Sequence, residues 1–308
     1  MHNFKIRFLL VLSLCILSFD LSSQQLPNYT QYLYNMQVIN PAFSGYRSDL
    51  SISVLSRNQW VGVPGAPTTR TFALNARTSR GLALGTTVIQ DEIGLSKITN
   101  ANLDASYTII TSRYSRLALG LKGGITFFNN NLSNAITPDN DVYASNSGRY
   151  FNIGFGALFY NRNFYLGLSI PYLLESPQFY IQNNFNNNSI AQHQNIFLST
   201  GYLYEISEDF MFKPSTMVRY TTNSPISIDV NANVLYKEFL EAGLSYRFNN
   251  SISGLFTLII NKKFRVGYAY DYKINTAIGN FNTNEFILHM DFSILRNTRW
   301  LRHNKCYF

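Results

Sequence analysis

Lys263-Phe264-Arg265-Val266-Gly267-Tyr268-Ala269-Tyr270-Asp271-Tyr272-Lys273 alternates without a break. Phe264, Val266, Tyr268, Tyr270 and Tyr272 share one side of an extended chain; Arg265, Gly267, Ala269, Asp271 and Lys273 share the other. Successive side chains of a strand point to opposite faces, so this stretch is a strand with two unlike faces. The same period recurs outward from it, in Leu240–Phe248, Phe286–Ile294, Phe151–Phe159 and Leu117–Phe127. A soluble antiparallel sandwich shows such alternation too. Here the strands run to about 10–13 residues, against a usual mode of about 5–6, and a tilted membrane-crossing strand needs about 9–11. The apolar face is rich in Phe and Tyr, while the polar face carries Gly and isolated charges of both signs. That pattern suits a barrel with lipid outside and a wet lumen inside.

Composition excludes the other classes. Of 308 residues, 46% are hydrophobic, 15% aromatic and only 14% charged, with a formal net charge of +8. The charged share is roughly half the globular average, and hydrophobicity is too high for a disordered chain. Past the N-terminus no apolar run approaches the length of a membrane helix. The reading is an all-β protein, a transmembrane antiparallel β-barrel of about 14 strands. They are expected at 49–59, 69–78, 81–91, 97–110, 116–128, 149–160, 163–170, 193–205, 210–222, 225–236, 239–248, 251–261, 264–273 and 284–294. Every second connection is short, and all the long ones (60–68, 92–96, 129–148, 171–192 and 274–283) fall at the other end. Barrels have short periplasmic turns and long external loops, which places both termini in the periplasm.

The ends divide the chain further. Lys5 and Arg7 precede the apolar run Phe8–Phe19, with Ser22 and Ser23 before Gln24, the order of a secretory leader. The expected division is 1–23 signal peptide, 24–48 a periplasmic or lumenal segment, 49–295 the barrel and 296–308 a basic, aromatic periplasmic tail. Pro41 cannot sit in a central strand, so 24–48 should fold against or into the barrel mouth. Removing the leader leaves Cys306 as the single cysteine and so no internal disulfide. The Asn-rich tip at 181–190 reads as a solvated loop.

Chemistry is sparse. No nucleophile elbow, phosphate loop or spaced Cys/His set occurs, and His289 beside Asp291 and Glu285 reads as a lumen polar cluster. The expectation is no enzyme, no cofactor and no metal. Lys and Arg form no patch, which argues against nucleic acid. Arg57, Arg116, Lys122, Arg219, Arg247 and Arg265 take the inward parity and should pair with Asp104, Asp229, Glu241, Asp271 and Asp291 across the lumen.

The N-terminal third carries more specific wording. Tyr32-Leu33-Tyr34-Asn35 and Asn40-Pro41-Ala42-Phe43-Ser44-Gly45 are followed by Arg57-Asn58-Gln59-Trp60-Val61-Gly62. Pro64-Gly65-Ala66-Pro67-Thr68-Thr69 and Asp91-Glu92-Ile93-Gly94 come next, and Glu285-Phe286-Ile287-Leu288 lies near the end. This series resembles the PorP/SprF family of Bacteroidetes outer-membrane proteins, associated with type IX secretion and gliding motility. The resemblance implies a non-enzymatic barrel that supports secretion or surface display of a cognate protein, such as a gliding adhesin. Its implied partners are outer-membrane lipid, secretion-machinery components and the secreted cargo; the competing reading is a general porin or solute channel. The motif residues Tyr32, Asn35, Asn40, Pro41, Gly45, Arg57, Gln59, Trp60, Gly65, Pro67, Asp91, Gly94 and Glu285 are candidates for structural or partner contacts. Arg57 is expected to bond loop carbonyls, Asp91 to bond loop backbone, and Gly94 to supply a positive φ. Trp300 and Phe308 read either as anchors at the inner membrane interface or, with Tyr307, Tyr32, Tyr34 and Phe43, as a surface that docks a periplasmic or outer-membrane component.

Overall fold

The structure is a computed structural model that describes residues 29–78, 80–131, 133, 145–174, 176–183, 186–192, 194–222, 224–261, 263–274 and 281–292. The strands fall where the period-two stretches are. They are β1 (Leu50–Asn58), β2 (Thr68–Arg77), β3 (Leu82–Ile93), β4 (Ser96–Ile110), β5 (Arg116–Asn130), β6 (Asn146–Tyr160) and β7 (Phe164–Ile170). There follow β8 (Asn195–Tyr202, continued by Tyr204–Glu205), β9 (Phe210–Thr221), β10 (Ser227–Tyr236), β11 (Leu240–Arg247), β12 (Ser251–Ile260), β13 (Phe264–Lys273) and β14 (Thr283–Phe292).

Each strand pairs antiparallel with its sequence neighbours, and β1 pairs with β14 along its whole length, from Leu50 opposite Phe292 to Asn58 opposite Asn284. That pairing closes a fourteen-stranded up-and-down barrel. No helix among the described residues is long and apolar enough to cross a membrane. Within hydrocarbon every backbone N–H and C=O needs an internal partner, and a closed sheet supplies one to each strand.

The faces follow parity. Leu103, Leu121, Phe151 and Leu244 stand outward and exposed, while Asp104, Lys122, Asn152 and Ser245 alternate with them inside. All long connections lie at one mouth: 59–67, 131–145, 171–194 and 274–282. The other mouth has connections of three to five residues. One expected long loop, 92–96, is instead a turn at 94–95, because Gly94 (φ +58°) lets β3 fold straight back into β4. Within 171–192, expected as plain loop, Ser176–Asn183 and Asn186–Gln192 pair as a separate hairpin. The leader with Cys15, most of 129–148, and the tail 296–308 lie outside the described residues.

Lipid-facing parity carries a prediction. Leu244→Arg, which places a charge mid-strand on the outer wall, should cost about 2–4 kcal/mol in folding from denaturant into lipid vesicles. Leu244→Met should cost far less. Equal costs for the two would mean that this face does not meet lipid.

Candidate functional site

The lumen holds part of the chain itself. Residues 29–49 pass back through it as a plug, with the 3-10 turn Tyr32–Tyr34, the short helix Met36–Ile39 and a second 3-10 turn Pro41–Phe43. From Tyr29 to Tyr46 the plug is buried throughout. Tyr29, Tyr32, Leu33, Met36, Ile39 and Phe43 make an apolar core with Leu55, Leu158, Tyr165 and Ile287 of the wall. The inward face, expected to be wet, is therefore largely covered by the chain's own segment. Tyr32, Tyr34 and Phe43, offered as contacts for a periplasmic component, are no more than 6% exposed and cannot reach one from here.

Each end of the plug has its own chemistry. At the long-loop end, Arg57 on β1 donates Nη2 to Asp271 Oδ2 at 2.6 Å and Nη1 to Glu285 Oε2 at 2.7 Å and to Thr30 Oγ1 at 3.0 Å. Glu285 in turn accepts the backbone amides of Thr30 (3.0 Å) and Gln31 (2.6 Å), and the Thr30 hydroxyl donates to Asp271 at 2.7 Å. One cation, two carboxylates and the plug backbone thus form a single knot, with Arg57 and both acids essentially fully buried. Arg57 was expected to bond loop carbonyls; its register opposite Glu285 turns it to the carboxylates instead. The knot also corrects the placement of the segment. Only its last residues lie at the short-turn mouth, whereas Thr30 sits beside the long-loop ends of β13 and β14.

Towards the short-turn mouth, the Asn40-Pro41-Ala42 turn rests on a shelf of paired glycines. Gly120 on β5 faces Gly156 on β6. A Cβ at Gly120 would lie 2.5 Å from Pro41 C and 2.8 Å from Ala42 Cα, and one at Gly156 would lie 2.9 Å from both Asn40 Cγ and Pro41 Cδ. Real Cβ atoms do not approach so closely, so glycine is what lets the turn touch the wall. Asn40 fixes the seat. Its Nδ2 donates to Ala157 O (3.2 Å) and its Oδ1 accepts the Ala42 amide (2.9 Å), capping the turn that Pro41 begins. Gly45 (φ +70°) then carries the chain past Ala83 towards β1. Asn35, another motif residue, is 2% exposed, and its Oδ1 accepts from Ser53 Oγ.

Charge pairing across the lumen follows the inward parity. Lys122 meets Asp104 at 3.1 Å, Arg247 meets Asp229 at 2.7 Å, and Arg265 meets Asp291. Gln37 of the plug joins the first pair, donating Nε2 to Asp104 Oδ2 at 3.0 Å. Glu241 pairs at 2.7 Å with Lys213, which sequence reasoning missed, although inward parity on β9 would have found it. Arg116 donates to the carbonyls of Ser112 and Ser115 in its own turn.

The remaining motif residues gather at the long-loop mouth. Gln59 N donates to Pro67 O at 2.9 Å, closing the first loop, and Gly94 N donates to Gly65 O at 2.9 Å, tying that loop to the β3–β4 turn. Val61 N reaches Asn282 O at 3.1 Å, which adds the β13–β14 connection. Trp60 adopts φ +48° and, with Val61, is exposed at the rim. Asp91, expected to bond loop backbone, accepts the Thr69 hydroxyl of its register partner at 2.6 Å. The motif residues therefore form three groups: plug, knot and mouth. Among the described residues no cluster of His, Cys, Asp and Glu could hold a metal ion.

Two variants test the plug. Arg57→Ala leaves two buried carboxylates without their cation and should destabilise the folded barrel by about 3–5 kcal/mol in urea titration. Gly120→Val should expel the Asn40–Ala42 turn, making 29–48 susceptible to protease while heat-modifiable gel mobility still reports a closed barrel. A protected segment in the folded Gly120→Val protein would refute the shelf.

Solved barrels share this architecture at low identity. A TodX ΔS2S3 mutant monoaromatic hydrocarbon channel superposes with TM-score 0.53 and 10% identity, covering 84% of this chain and 94% of its own. The CymD monoaromatic hydrocarbon channel gives 0.52 and 12%, covering 84% and 93%. The Acinetobacter baumannii outer-membrane protein Omp33 gives 0.49 and 10%, covering 81% and 100%. At such identities the likeness is one of fold. No curated protein matches the chain in sequence. The model of one family does, over residues 21–292, taking in plug, knot, mouth and all fourteen strands: the chain belongs to the type IX secretion system membrane protein PorP/SprF family.

Proposed function

We propose that this protein is a non-enzymatic, plugged outer-membrane barrel that supports type IX secretion through its two mouths and not by conducting solutes through its lumen. The observation that carries this reading is the plug, held by the Arg57 knot at one end and the glycine shelf towards the other. Family membership supports the secretion assignment. The cargo in this reading is a secreted surface protein of the gliding-adhesin kind, and the machinery contact is the basic, aromatic tail 296–308. Residues 1–23 act as a leader and are removed. The long loops lie outside the cell and the short turns in the periplasm, as loop-length asymmetry in barrels supports.

A general porin is the competing function, supported by the fold alone. Planar-bilayer recording separates the two: the full chain should show no steady open channel, and deletion of 29–45 should create one. A stable conductance from the intact chain, with normal surface-protein export in cells lacking the gene, would overturn the secretion reading in favour of a pore. Orientation is checked by labelling cysteines introduced in intact cells. Asn187→Cys should react and Asn161→Cys should not; the reverse pattern would invert the barrel.

A further inference from the structure

Between plug and wall, in the short-turn half of the lumen, lies a cavity of about 40 Å³. Asn35 and Arg47 line it from the plug, Ser51, Ser53 and His289 from β1 and β14, and Tyr34 completes it. Its lining is rich in donors that lack an acceptor. Asn35 Nδ2 and Arg47 Nη2 make no hydrogen bond and neither does His289 Nδ1, while His289 Nε2 lies 3.2 Å from Asp291 Oδ1. Asn35 and His289 are at most 5% exposed, so bulk water does not serve them.

The charges around the cavity do not balance either. Arg47 lines it and, with Lys213, stands over the Tyr34 ring, and Arg265 lies within electrostatic reach of both. Two carboxylates answer them: Glu241 pairs with Lys213 at 2.7 Å, and Asp291 pairs with Arg265. Arg47 stacks over the Tyr34 ring at 5.2 Å and pairs with no carboxylate among the described residues. A buried donor without an acceptor costs stability, and so, to a lesser degree, does a partly buried cation without a counter-ion, as Arg47 is. Water would answer the first need and leave the second. A single anion answers both.

We propose that this cavity is a binding site for one small monovalent anion, of the size of chloride or formate, held by Arg47 and Asn35 and walled by His289. Size sets the class. A water needs about 10–15 Å³ and benzene fills a cavity of about 150 Å³, so there is room for a small ion and none for a sugar or an aromatic ring. The ion bridges plug to wall and so acts as a second anchor, opposite the Arg57 knot. This inference rests on the plug and is independent of the secretion role.

The test is thermal unfolding of the detergent-solubilised full chain in sodium chloride, sodium bromide and sodium gluconate at equal ionic strength, with bromide located in crystals by its anomalous signal. Chloride and bromide should raise the unfolding temperature above that in gluconate along a saturable curve, with a bromide peak beside Arg47. Arg47→Met, which removes the excess charge, should abolish the halide dependence. Asn35→Asp should also abolish it by supplying the negative charge from within, and serves if Arg47→Met fails to fold. Equal unfolding temperatures in the three salts would overturn the site. So would stabilisation without a peak in the cavity, or a halide dependence that survives in either folded variant.

Discussion

A sheet immersed in hydrocarbon cannot leave an edge unpaired, and the pairing of β1 with β14 is what meets that condition here. Closure at fourteen strands has a price. About eight strands give an interior that wall side chains fill, and sixteen to eighteen give an aqueous channel. Fourteen lies between, too wide for the wall residues to meet. The chain fills much of that space with its own residues 29–49. Much that is unusual inside the barrel follows from fitting that segment: glycine where its backbone touches the wall, and charge where its free amides need acceptors.

The Arg57 knot illustrates how such fitting differs from simple stabilisation. A buried ion pair often gains little over well-packed apolar residues, while removal of one partner is costly. Leu55 and Ile287, next to Arg57 and Glu285 on the inward face, show that apolar side chains are tolerated at this depth. What the carboxylates add is direction. Glu285 takes two consecutive backbone amides, of Thr30 and Gln31, which a leucine could not, and Asp271 takes the Thr30 hydroxyl. The plug is thereby held in one register. The Asn40 side chain does the same job in the other half, reading strand backbone at Ala157 through the gap that Gly156 leaves.

How far these features are legible in sequence depends on the period of the segment. The outer wall alternates apolar residues for ten positions at a time, so strand positions, faces and the long-loop mouth can be read from residues such as Phe264 to Tyr272. The plug has no period. Its turns are set by contacts with strands up to 255 positions away, as between Thr30 N and Glu285 Oε2, and no local pattern announces them. Pro41 signals only that the segment is not a central strand. Gly120 and Gly156 resemble ordinary lumen glycines until the register places them side by side. Motif residues were identifiable as a set, but their division into plug, knot and mouth needed the fold. Tyr32, Tyr34 and Phe43 were misread for the same reason, since an aromatic that packs inside a plug and one that docks a partner look alike in sequence.

The filled lumen bears on where another protein can act. The plug joins the wall through an apolar core and through hydrogen bonds on several strands, from Thr71 on β2 to Ser215 on β9. These contacts lie side by side and share neighbours, so they are lost together more readily than singly. Partial withdrawal would strand the amides of Thr30 and Gln31 or uncover the glycine shelf, leaving buried polar groups without partners. The favoured states are therefore plug in or plug out. With the plug in, what a partner can reach is the lipid-facing wall and the two rims. At the long-loop rim Trp60 and Val61 are already exposed, on a loop tied by backbone hydrogen bonds to the β3–β4 turn and the β13–β14 connection. A rim so braced can be gripped without being deformed, which fits the role proposed for the two mouths.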